Sequence, residues 1–308
     1  MRLISLLEVI NLTSMTDYIG NTPLIRLTEF EKRIGSGSRI YAKLEKYNPF
    51  GSIKDRAAYQ ILKDAGEFIE FDRDTCVIEA TSGNMGISLS AICSIMGYKC
   101  KIIMPKNVSD ARKKLIKHYG AELILCDANG GMSEATKIAE LLSKEDHNIY
   151  WCKQFFNKSN IKAHYISTAP EIERQLGSVP DAIFSGIGTG GTIMGLAEFF
   201  KAKGSMILGV EPKSSPVITQ KMPGKHKIQG IGANFYPPLV NISLIDDILL
   251  VSDNKAKRHS VDIARYDGIA VGISSGAVLD ACEQYVKMHN PQNKNIVLIF
   301  PDGYERYV

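Results

Sequence analysis

The stretch Asn48-Pro49-Phe50-Gly51-Ser52-Ile53-Lys54-Asp55-Arg56 has the pattern of a turn that runs into a helix. Pro49 and Gly51 are residues typical of turns. Ser52 and Asp55 stand three positions apart. That spacing predicts a capping box at the start of the helix, with Asp in place of the usual Glu or Gln.

This placement makes Lys54 a candidate nucleophile. The capping box puts Lys54 at the second position of the helix, where unpaired backbone N–H groups carry partial positive charge. An ammonium group is unfavourable there, so this lysine should lose its proton more readily than a solvated one. A neutral amine of this kind forms Schiff bases with carbonyl compounds. Taken alone, the motif more often means a surface lysine, and other segments have to decide.

The composition is ordinary for a globular protein and excludes several function classes. The 308 residues are 44% hydrophobic and 23% charged, with 37 basic and 33 acidic side chains. This length allows two ordinary domains or one large domain. A net charge of +4 is too small to predict nucleic-acid or membrane-surface binding, and no apolar run is long enough to span a bilayer.

The cysteines and histidines predict neither disulfides nor a metal centre. The six cysteines contain no C-x-x-C pair, and most lie in or near apolar runs. Reduced, partly buried thiols in a cytoplasmic protein are the expected state. The six histidines lack the H-x-x-x-H spacing of a helical metal site, so no bound metal is expected.

Short apolar runs alternate with helical patterns along the chain, which predicts an α/β fold with parallel sheets covered by helices on both faces. Strands are predicted at 24–27, 39–45, 76–80, 100–104, 121–126, 149–152, 182–185, 206–210, 247–251 and 296–300. Helices are predicted at 52–65, 85–96, 111–119, 133–143, 161–176, 192–203, 255–266 and 276–288. Residues 211–241 contain five prolines and predict a long ordered loop.

The segment Thr81-Ser82-Gly83-Asn84-Met85-Gly86 lies between a predicted strand and a predicted helix. Its hydroxyl groups, its glycines and the free N–H groups of the helix N-terminus suit a bound anion, either a carboxylate or a phosphate. A simple glycine-containing connection is an equally good explanation of this segment alone.

The segment Gly186-Ile187-Gly188-Thr189-Gly190-Gly191-Thr192 gives a stronger signal. Four glycines let the backbone approach a ligand closely, and the N–H groups converge as in a phosphate nest. The same segment matches G-x-G-x-x-G, and Glu211 follows about 20 residues later, as in dinucleotide-binding proteins. An NAD-dependent oxidoreductase is therefore an alternative at this stage.

A third small-residue turn, Gly272-Ile273-Ser274-Ser275-Gly276-Ala277, also precedes a predicted helix. Its hydroxyl groups can bond a ring nitrogen or cap the helix, and capping is the better explanation when the turn is taken alone. Together, the four segments supply a Schiff-base lysine, a carboxylate pocket, a phosphate nest and a hydroxyl turn. A phosphorylated aldehyde cofactor that captures amino acids needs all four, and pyridoxal phosphate is that cofactor.

In this combination the chain resembles the cysteine synthase (O-acetylserine sulfhydrylase) and cystathionine β-synthase family of fold-type-II pyridoxal-phosphate enzymes. The resemblance covers residues 19–307. It implies an α/β, two-domain fold like that of the tryptophan synthase β subunit, each domain a mostly parallel sheet covered by helices. The segments that carry it are 19–27, 48–56, 81–86, 154–155, 188–192, 209–212, 228–235, 272–277 and 305–307.

The resemblance also implies roles for individual residues. Lys54 holds the cofactor as a Schiff base and then moves the Cα proton. Asn84 bonds the 3′-oxygen of the cofactor, and Ser274 bonds its ring nitrogen. The cofactor phosphate is held by Gly188, Thr189, Gly190, Gly191 and Thr192. The substrate carboxylate is held by Thr81, Ser82, Asn84 and Gln154.

The implied reaction is β-replacement or β-elimination on a cysteine- or serine-type amino acid through an aminoacrylate, with O-acetylserine and sulfide giving cysteine favoured. Met85 and Asn234 depart from the family pattern, which usually has Thr and Gly there. Both are expected near the substrate, so the leaving group and the nucleophile stay open. The alternatives are a sulfide-releasing lyase, a serine-, lanthionine- or cystathionine-type enzyme, and a catalytically silent homologue that serves as a binding partner.

The domain prediction follows from the same resemblance. Residues 1–15 are an extension. Residues 46–153 form a smaller domain with the cofactor lysine and the substrate loop, and residues 16–45 plus 154–308 form a larger domain with the phosphate loop. A homodimer in the cytoplasm is expected, with a small amino acid as the bound substrate.

Overall fold

Two β-sheets organise the computed structural model, which describes residues 13–307. The strands are β1 (Leu24–Arg26), β2 (Gly37–Leu44), β3 (Cys76–Ala80), β4 (Lys99–Pro105), β5 (Glu122–Cys126), β6 (Ile149–Trp151), β7 (Ala182–Gly186), β8 (Met206–Pro212), β9 (Asp247–Val251) and β10 (Gln292–Phe300). The larger sheet has the order β1-β2-β10-β7-β8-β9, and the smaller has the order β5-β4-β3-β6. Only β1 pairs in the antiparallel sense, with β2, among these strands.

Helices fill the connections between the strands. They are α1 (Thr28–Ile34), α2 (Lys54–Gly66), α3 (Asn84–Met96), α4 (Asp110–His118), α5 (Gly131–Glu145), α6 (Ser159–Ala163), α7 (Ala169–Leu176), α8 (Gly191–Phe200), α9 (Val217–Gln220), α10 (Asp253–Tyr266) and α11 (Ile273–His289). A π-helical turn, His164–Thr168, joins α6 to α7. None of the described helices is long and apolar enough to cross a membrane.

Both faces of each sheet are covered, as the apolar strands predict. Along β7, Ala182 and Phe184 belong to one buried cluster with residues of α10 and α11, whereas Ile183 belongs to another with residues of α7 and α8. Along β3, Val77 packs with α2 and α3, whereas Ile78 packs with α5. Because successive strand residues face opposite sides, this alternation requires helices on both sides.

The predicted strands and helices all have counterparts, and the α/β prediction is confirmed. Two helices were missed: α1, which is short and rich in charge, and the four-residue α9 inside the predicted loop 211–241. The helix predicted over 161–176 contains the π-helical turn, which periodicity alone does not reveal. The predicted extension 1–15 lies outside the described residues except for 13–15.

Candidate active site

One cavity of about 1350 Å³ gathers the predicted site residues. It opens at the carboxyl ends of β3, β6, β7 and β10, where ligands commonly bind in parallel sheets. Of the predicted residues, Gly191 alone is not on the cavity wall. The wall includes Lys54, Thr81, Ser82, Asn84, Gln154, Gly188, Thr189, Gly190, Thr192, Asn234 and Ser274.

Lys54 is the first residue of α2, and the predicted capping box is wrong. The Ser52 hydroxyl does accept the Lys54 backbone N–H, at 3.2 Å. The Asp55 carboxyl, however, accepts the Phe50 backbone N–H at 2.8 Å and the Ser88 hydroxyl at 2.5 Å. The start of α2 has Ile53, not Ser52, at its N-cap position, and the Ile53 N–H donates to the Pro301 carbonyl at 2.8 Å. The reciprocal half of the box is therefore missing, because the Asp55 carboxyl bonds Phe50 and Ser88 instead of the Ser52 N–H.

The Lys54 amine loses its proton more readily than a solvated lysine. Burial lowers the pKa of Lys54 to about 8, against the opposing charge of Asp302. The sequence predicted a lowered pKa from the helix N-terminus, whereas the structure assigns the main cause to loss of water around the amine. An amine with this pKa can act both as a nucleophile and as a base.

A buried network of ion pairs lies behind α2, the helix that begins with Lys54 (the lysine helix), and connects it to the larger sheet. Arg56 of α2 donates to Glu45 at 2.7 and 2.8 Å and to Glu171 of α7 through two 2.7 Å bonds. Lys43 of β2 donates to Glu171 at 2.7 Å. All four side chains are at most 7% exposed. Although burial opposes it, Arg56 together with Lys43 lowers the pKa of Glu171 to about 2.

The loop that follows β3 leads straight into α3. Thr81 is buried, and its hydroxyl accepts the Gly83 backbone N–H at 3.2 Å. The carbonyl of Ser82 accepts Nη1 of Arg112 at 3.2 Å, which connects the loop to α4. Asn84 is the first residue of α3 and donates through Nδ2 to Asp302 at 2.6 Å. The loop therefore presents hydroxyl groups and a helix N-terminus to the cavity, which suits a carboxylate.

The glycine-rich loop turns sharply between β7 and α8. Gly190 has φ of +90°, a backbone conformation that side chains rarely adopt. A Cβ atom on Gly188 would lie 2.5 Å from the Gly230 carbonyl oxygen, and one on Gly191 would collide with Asn160. The glycines are thus required both by the backbone turn and by close neighbours, while the α8 N-terminus faces the cavity.

Two buried side chains hold this loop from behind. Asn160 donates through Nδ2 to the Gln154 carbonyl at 2.9 Å and to the Thr189 hydroxyl at 3.0 Å. His164 lies 3.2 Å from the Thr192 hydroxyl through Nε2. Burial, with Arg56 adding to it, lowers the pKa of His164 to about 3, so the ring is neutral. Sequence analysis missed both residues, because neither belongs to a recognisable motif.

Asn234 and Met85 both reach the cavity wall in different surroundings. Asn234 is exposed, and its Oδ1 lies 3.4 Å from the Ser215 hydroxyl, a long and weak contact. Met85 is 1% exposed and belongs to the core around α2 and α3. Of these two departures from the family pattern, only Asn234 has a side chain that is free to reorient toward a ligand.

The dinucleotide alternative fails on Glu211. In dinucleotide-binding proteins the corresponding acidic residue bonds a ribose hydroxyl. Here Glu211 is 1% exposed and accepts the backbone N–H groups of Ile218 and Thr219 at 3.0 and 3.1 Å, and also the Thr219 hydroxyl. Both carboxylate oxygens are therefore committed to the start of α9.

A group of three potential metal ligands lines a different pocket, between α10 and α11. His259, Asp280 and Glu283 bring their ligand atoms within 4.8 Å of one another. The same carboxylates already pair with Lys255 at 3.4 Å and with Lys287. Ion pairing therefore accounts for this cluster without a metal.

Sequence analysis also missed Asp302 and Tyr307. Asp302 follows β10 and is 2% exposed, and Tyr307 donates to its Oδ2 at 2.7 Å. A signal was present, because the carboxyl end of a predicted central strand is where site residues of a parallel sheet gather. The segment was recognised as part of the family resemblance only at 305–307.

The cavity suits a polar aromatic cofactor. Buried polar groups normally have hydrogen-bond partners, and exceptions call for an explanation. Within residues 13–307, Asn84 Oδ1, Ser274 Oγ and Asp302 Oδ1 are buried without a partner, and all three belong to residues on the cavity wall. With the glycine loop and the Lys54 amine, they match the groups that pyridoxal phosphate presents: an aldehyde, a phosphate, the 3′-oxygen and the ring nitrogen.

Comparisons with known proteins agree with this geometry. A family model described as "Pyridoxal-phosphate dependent enzyme" matches residues 15–302. Cysteine synthase B of Campylobacter jejuni is 42% identical over 296 residues, which cover 96% of each chain. The structure of a hydrogen sulfide-producing enzyme from Fusobacterium nucleatum has a TM-score of 0.92 and 39% identity, over 96% of this chain and 100% of that one. A cysteine synthase structure from Entamoeba histolytica has a TM-score of 0.93 and 35% identity, over 100% and 92%.

The predicted fold-type-II architecture, the cofactor and the enzyme class are thereby confirmed, and the NAD-dependent alternative is set aside. The matches cover almost the whole length of this chain and of each relative, so they do not depend on one shared motif. The chain belongs to the family of pyridoxal-phosphate dependent enzymes, and cysteine synthases are among its relatives.

Proposed function

We propose that this enzyme replaces the β-substituent of a serine-type amino acid, with O-acetylserine and sulfide giving cysteine and acetate. One observation carries the proposal: a single cavity unites the Lys54 amine, the glycine loop and the loop that follows β3. The cysteine synthases among the relatives support the choice of substrates.

Each part of the cofactor has a matching part of the cavity wall. Lys54 is the attachment point. The loop of Gly188, Thr189, Gly190, Gly191 and Thr192 holds the phosphate through backbone N–H groups at the start of α8. Asn84 bonds the 3′-oxygen, and Ser274, whose buried hydroxyl has no partner in the described part of the chain, bonds the ring nitrogen.

The substrate carboxylate is assigned to Thr81, Ser82, Asn84 and Gln154. Gln154 lines the same cavity, follows β6 and is 5% exposed. Hydroxyl and N–H donors at a helix N-terminus hold a carboxylate by charge-assisted hydrogen bonds. An amino acid held there would share the cavity with the Lys54 amine.

Lys54 then moves the Cα proton. When bound, the cofactor withdraws electrons from the substrate and so makes this proton removable. Lys54 accepts the proton as a neutral amine, which its pKa of about 8 allows at neutral and mildly alkaline pH. A carboxylate at the ring nitrogen would keep that nitrogen protonated, whereas a serine hydroxyl would not, so the cofactor would withdraw electrons less strongly and loss of the β-substituent would be favoured over transamination.

A second candidate function is the release of sulfide from cysteine with the same machinery. It is favoured by the likeness to the hydrogen sulfide-producing enzyme of Fusobacterium nucleatum. Asn234 is the residue on which the choice can depend, because it lines the cavity and is held only by a long contact to Ser215.

We also propose that the two sheets mark two domains, 46–153 and 16–45 plus 154–308, as the family resemblance implies. A cytoplasmic location is supported by the six cysteines, which are all free thiols and all buried. A homodimer is proposed from the resemblance, and sedimentation of the purified protein tests it.

The direct test of the function is cofactor mapping combined with an assay. Borohydride reduction followed by peptide mapping should place the phosphopyridoxyl group on Lys54, and O-acetylserine with sulfide should yield cysteine. Attachment at Lys43 or Lys46 would overturn the assignment of Lys54. A protein that binds the cofactor but turns over neither O-acetylserine nor cysteine would be the silent homologue.

A further inference from the structure

Asp302 is a buried carboxylate at the active site to which the proposed function gives no task. It follows the carboxyl end of β10, a central strand of the larger sheet, and is 2% exposed. Burying a carboxylate is costly unless partners compensate it. Such a residue at the wall of a catalytic cavity therefore needs a reason.

The backbone fixes Asp302 between two segments of the site. It bridges to Ser52 in the lysine turn, and its carbonyl accepts the Gly272 backbone N–H at 3.2 Å. The preceding carbonyl, of Pro301, accepts the Ile53 N–H at 2.8 Å. Gly272 is required here, since a Cβ atom at that position would collide with Asp302 Oδ1. The carboxylate therefore has a defined position relative to both Lys54 and the start of α11.

The side chain decides how the Asn84 amide is turned. Oδ2 of Asp302 accepts Nδ2 of Asn84 at 2.6 Å and the Tyr307 hydroxyl at 2.7 Å. A carboxylate can only accept, so the NH₂ group of Asn84 must face Asp302. The second N–H of that group and the buried Oδ1 of Asn84, which has no partner within the described chain, are left for a ligand.

Asp302 also acts on Lys54 through charge. It is the group whose charge opposes the loss of the Lys54 proton. The titratable groups that face Asp302 are Lys54 of α2, Arg112 of α4, and Arg306 and Tyr307 of the C-terminal turn. Burial raises the pKa of Asp302, whereas Tyr307, Asn84 and the two arginines oppose that shift. His164, which also faces Lys54, is neutral.

We propose that Asp302 is a positioning residue of the active site, which orients the Asn84 amide and stabilises the protonated state of Lys54. This role rests on the function proposed above. Tyr307 is the second member of the pair, because its hydroxyl holds the Asp302 oxygen that Asn84 contacts. Asp302 and Tyr307 thus connect the turn at 304–307 to the Lys54 amine and the Asn84 amide, the two groups assigned to the cofactor.

The test compares Asp302→Asn, Tyr307→Phe and the double variant as holoenzymes. Two readouts are taken: the pH profile of kcat and the dissociation constant of pyridoxal phosphate. Without the negative charge, Lys54 loses its proton at lower pH, so the acid limb of kcat should move down by about one pH unit. Cofactor binding should weaken by about tenfold, because the amide is no longer held by a charged partner.

Tyr307→Phe should move both readouts in the same direction by a smaller amount, and should add nothing in the Asp302→Asn background. Glu305→Gln is the matched control: it removes an exposed negative charge from the same turn and should leave both readouts unchanged. If Asp302→Asn does not fold, Tyr307→Phe carries the test by itself.

The proposal would be overturned if the variants kept the acid limb of the wild-type kcat profile and bound the cofactor with wild-type affinity. An equal shift in Glu305→Gln would also overturn it, since that would reflect overall charge. Failure of the wild-type protein to bind the cofactor or to turn over a β-substituted amino acid would instead count against the proposed function, which keeps the two failures distinguishable.

Discussion

Two buried polar regions lie on either side of the lysine helix, and they differ in how completely their hydrogen bonds are satisfied. Behind the helix, Lys43 donates hydrogen bonds to the Thr22 carbonyl, Glu171 and Gln175. Arg56 donates to Glu45 and Glu171. In front of the helix, buried oxygens of Asn84 and Ser274 have no partner among residues 13–307.

The difference separates a scaffold from a site. Both regions are buried and polar, so burial and polarity do not tell them apart. A fully paired network fixes the position of a helix, whereas unpaired groups around a cavity are held ready for a ligand. The first region should therefore respond to mutation in stability, and the second in cofactor binding and activity.

The largest effect is expected from Lys54→Ala. Activity should fall by about 10³-fold, because the residue serves as both attachment point and proton carrier. The free energy of unfolding of the cofactor-free protein should change by less than about 1 kcal/mol. Steady-state kinetics and urea unfolding measure the two effects. Lys46→Ala, eight residues earlier, is the control and should retain activity; a similar loss there would refute the assignment.

The second prediction concerns the paired region. Arg56→Met leaves the Glu45 and Glu171 charges buried without their cation, and should cost about 3–5 kcal/mol of stability. Arg26→Met provides a matched control, since the Arg26 side chain is 48% exposed where it pairs with Glu31 and should cost at most about 1 kcal/mol. Urea unfolding distinguishes them. Equal losses for both arginines would contradict the contrast between the two regions.

The third prediction uses opposite pH dependences of two glutamates. Burial raises the pKa of Glu79, on the cavity wall, from 4.5 to about 8. In the ion network, burial opposes the shift, but Arg56 and Lys43 lower the pKa of Glu171 from 4.5 to about 2. The contribution of Glu79 to stability is fully present below pH 4.5 and is lost as pH rises through about 8. That of Glu171 is present above pH 4.5 and is lost as pH falls through about 2.

Unfolding of the cofactor-free protein across pH tests this pair. Because of Glu79, the wild-type protein should lose up to about 1.4 kcal/mol of stability per pH unit between pH 4.5 and 8. The Glu79→Gln variant should lack this loss. Glu171→Gln should instead be destabilised most above pH 4.5. Parallel pH profiles for the two variants would show that the glutamates do not differ in this way.

The smallest effect is expected from Asn234→Gly. Asn234 can orient a nucleophile by hydrogen bonds but cannot accept a proton near neutral pH. We expect the ratio of cysteine formation to sulfide release from cysteine to change by about 2–10-fold, at a cost to binding of roughly one hydrogen bond. Ser215→Ala removes the side-chain partner of Asn234. It should also change the ratio of cysteine formation to sulfide release, measured beside wild type and Asn234→Gly. Equal scaling of both rates would mean that Asn234 does not choose the nucleophile.

Much of the fold could be predicted from local pattern. The runs 76–78, 182–184 and 248–251 are continuously apolar, so they fit strands that are covered on both sides. The site segments at 81–86 and 186–192 were recognisable because a short run of glycine and hydroxyl residues between a strand and a helix has few other physical uses. Lys54 was recognisable for the same reason, from its turn.

Other features had no local signal, because they depend on partners distant in sequence. Asp55 bonds Ser88 instead of closing the capping box, and Arg56 meets Glu171, 115 residues away. Glu211 looked like a ribose ligand until its oxygens were found capping α9.

The sequence by itself therefore determined the α/β class, the order of the elements and the segments that the structure gathers around one cavity, since those follow from short-range periodicity and turn chemistry. Only the tertiary structure decided which polar groups are paired and which are free. Hydrogen-bond satisfaction and desolvation are properties of the neighbours that folding brings together, so the pKa of Lys54 and the position of Asp302 beside Asn84 could not be derived from spacing along the chain.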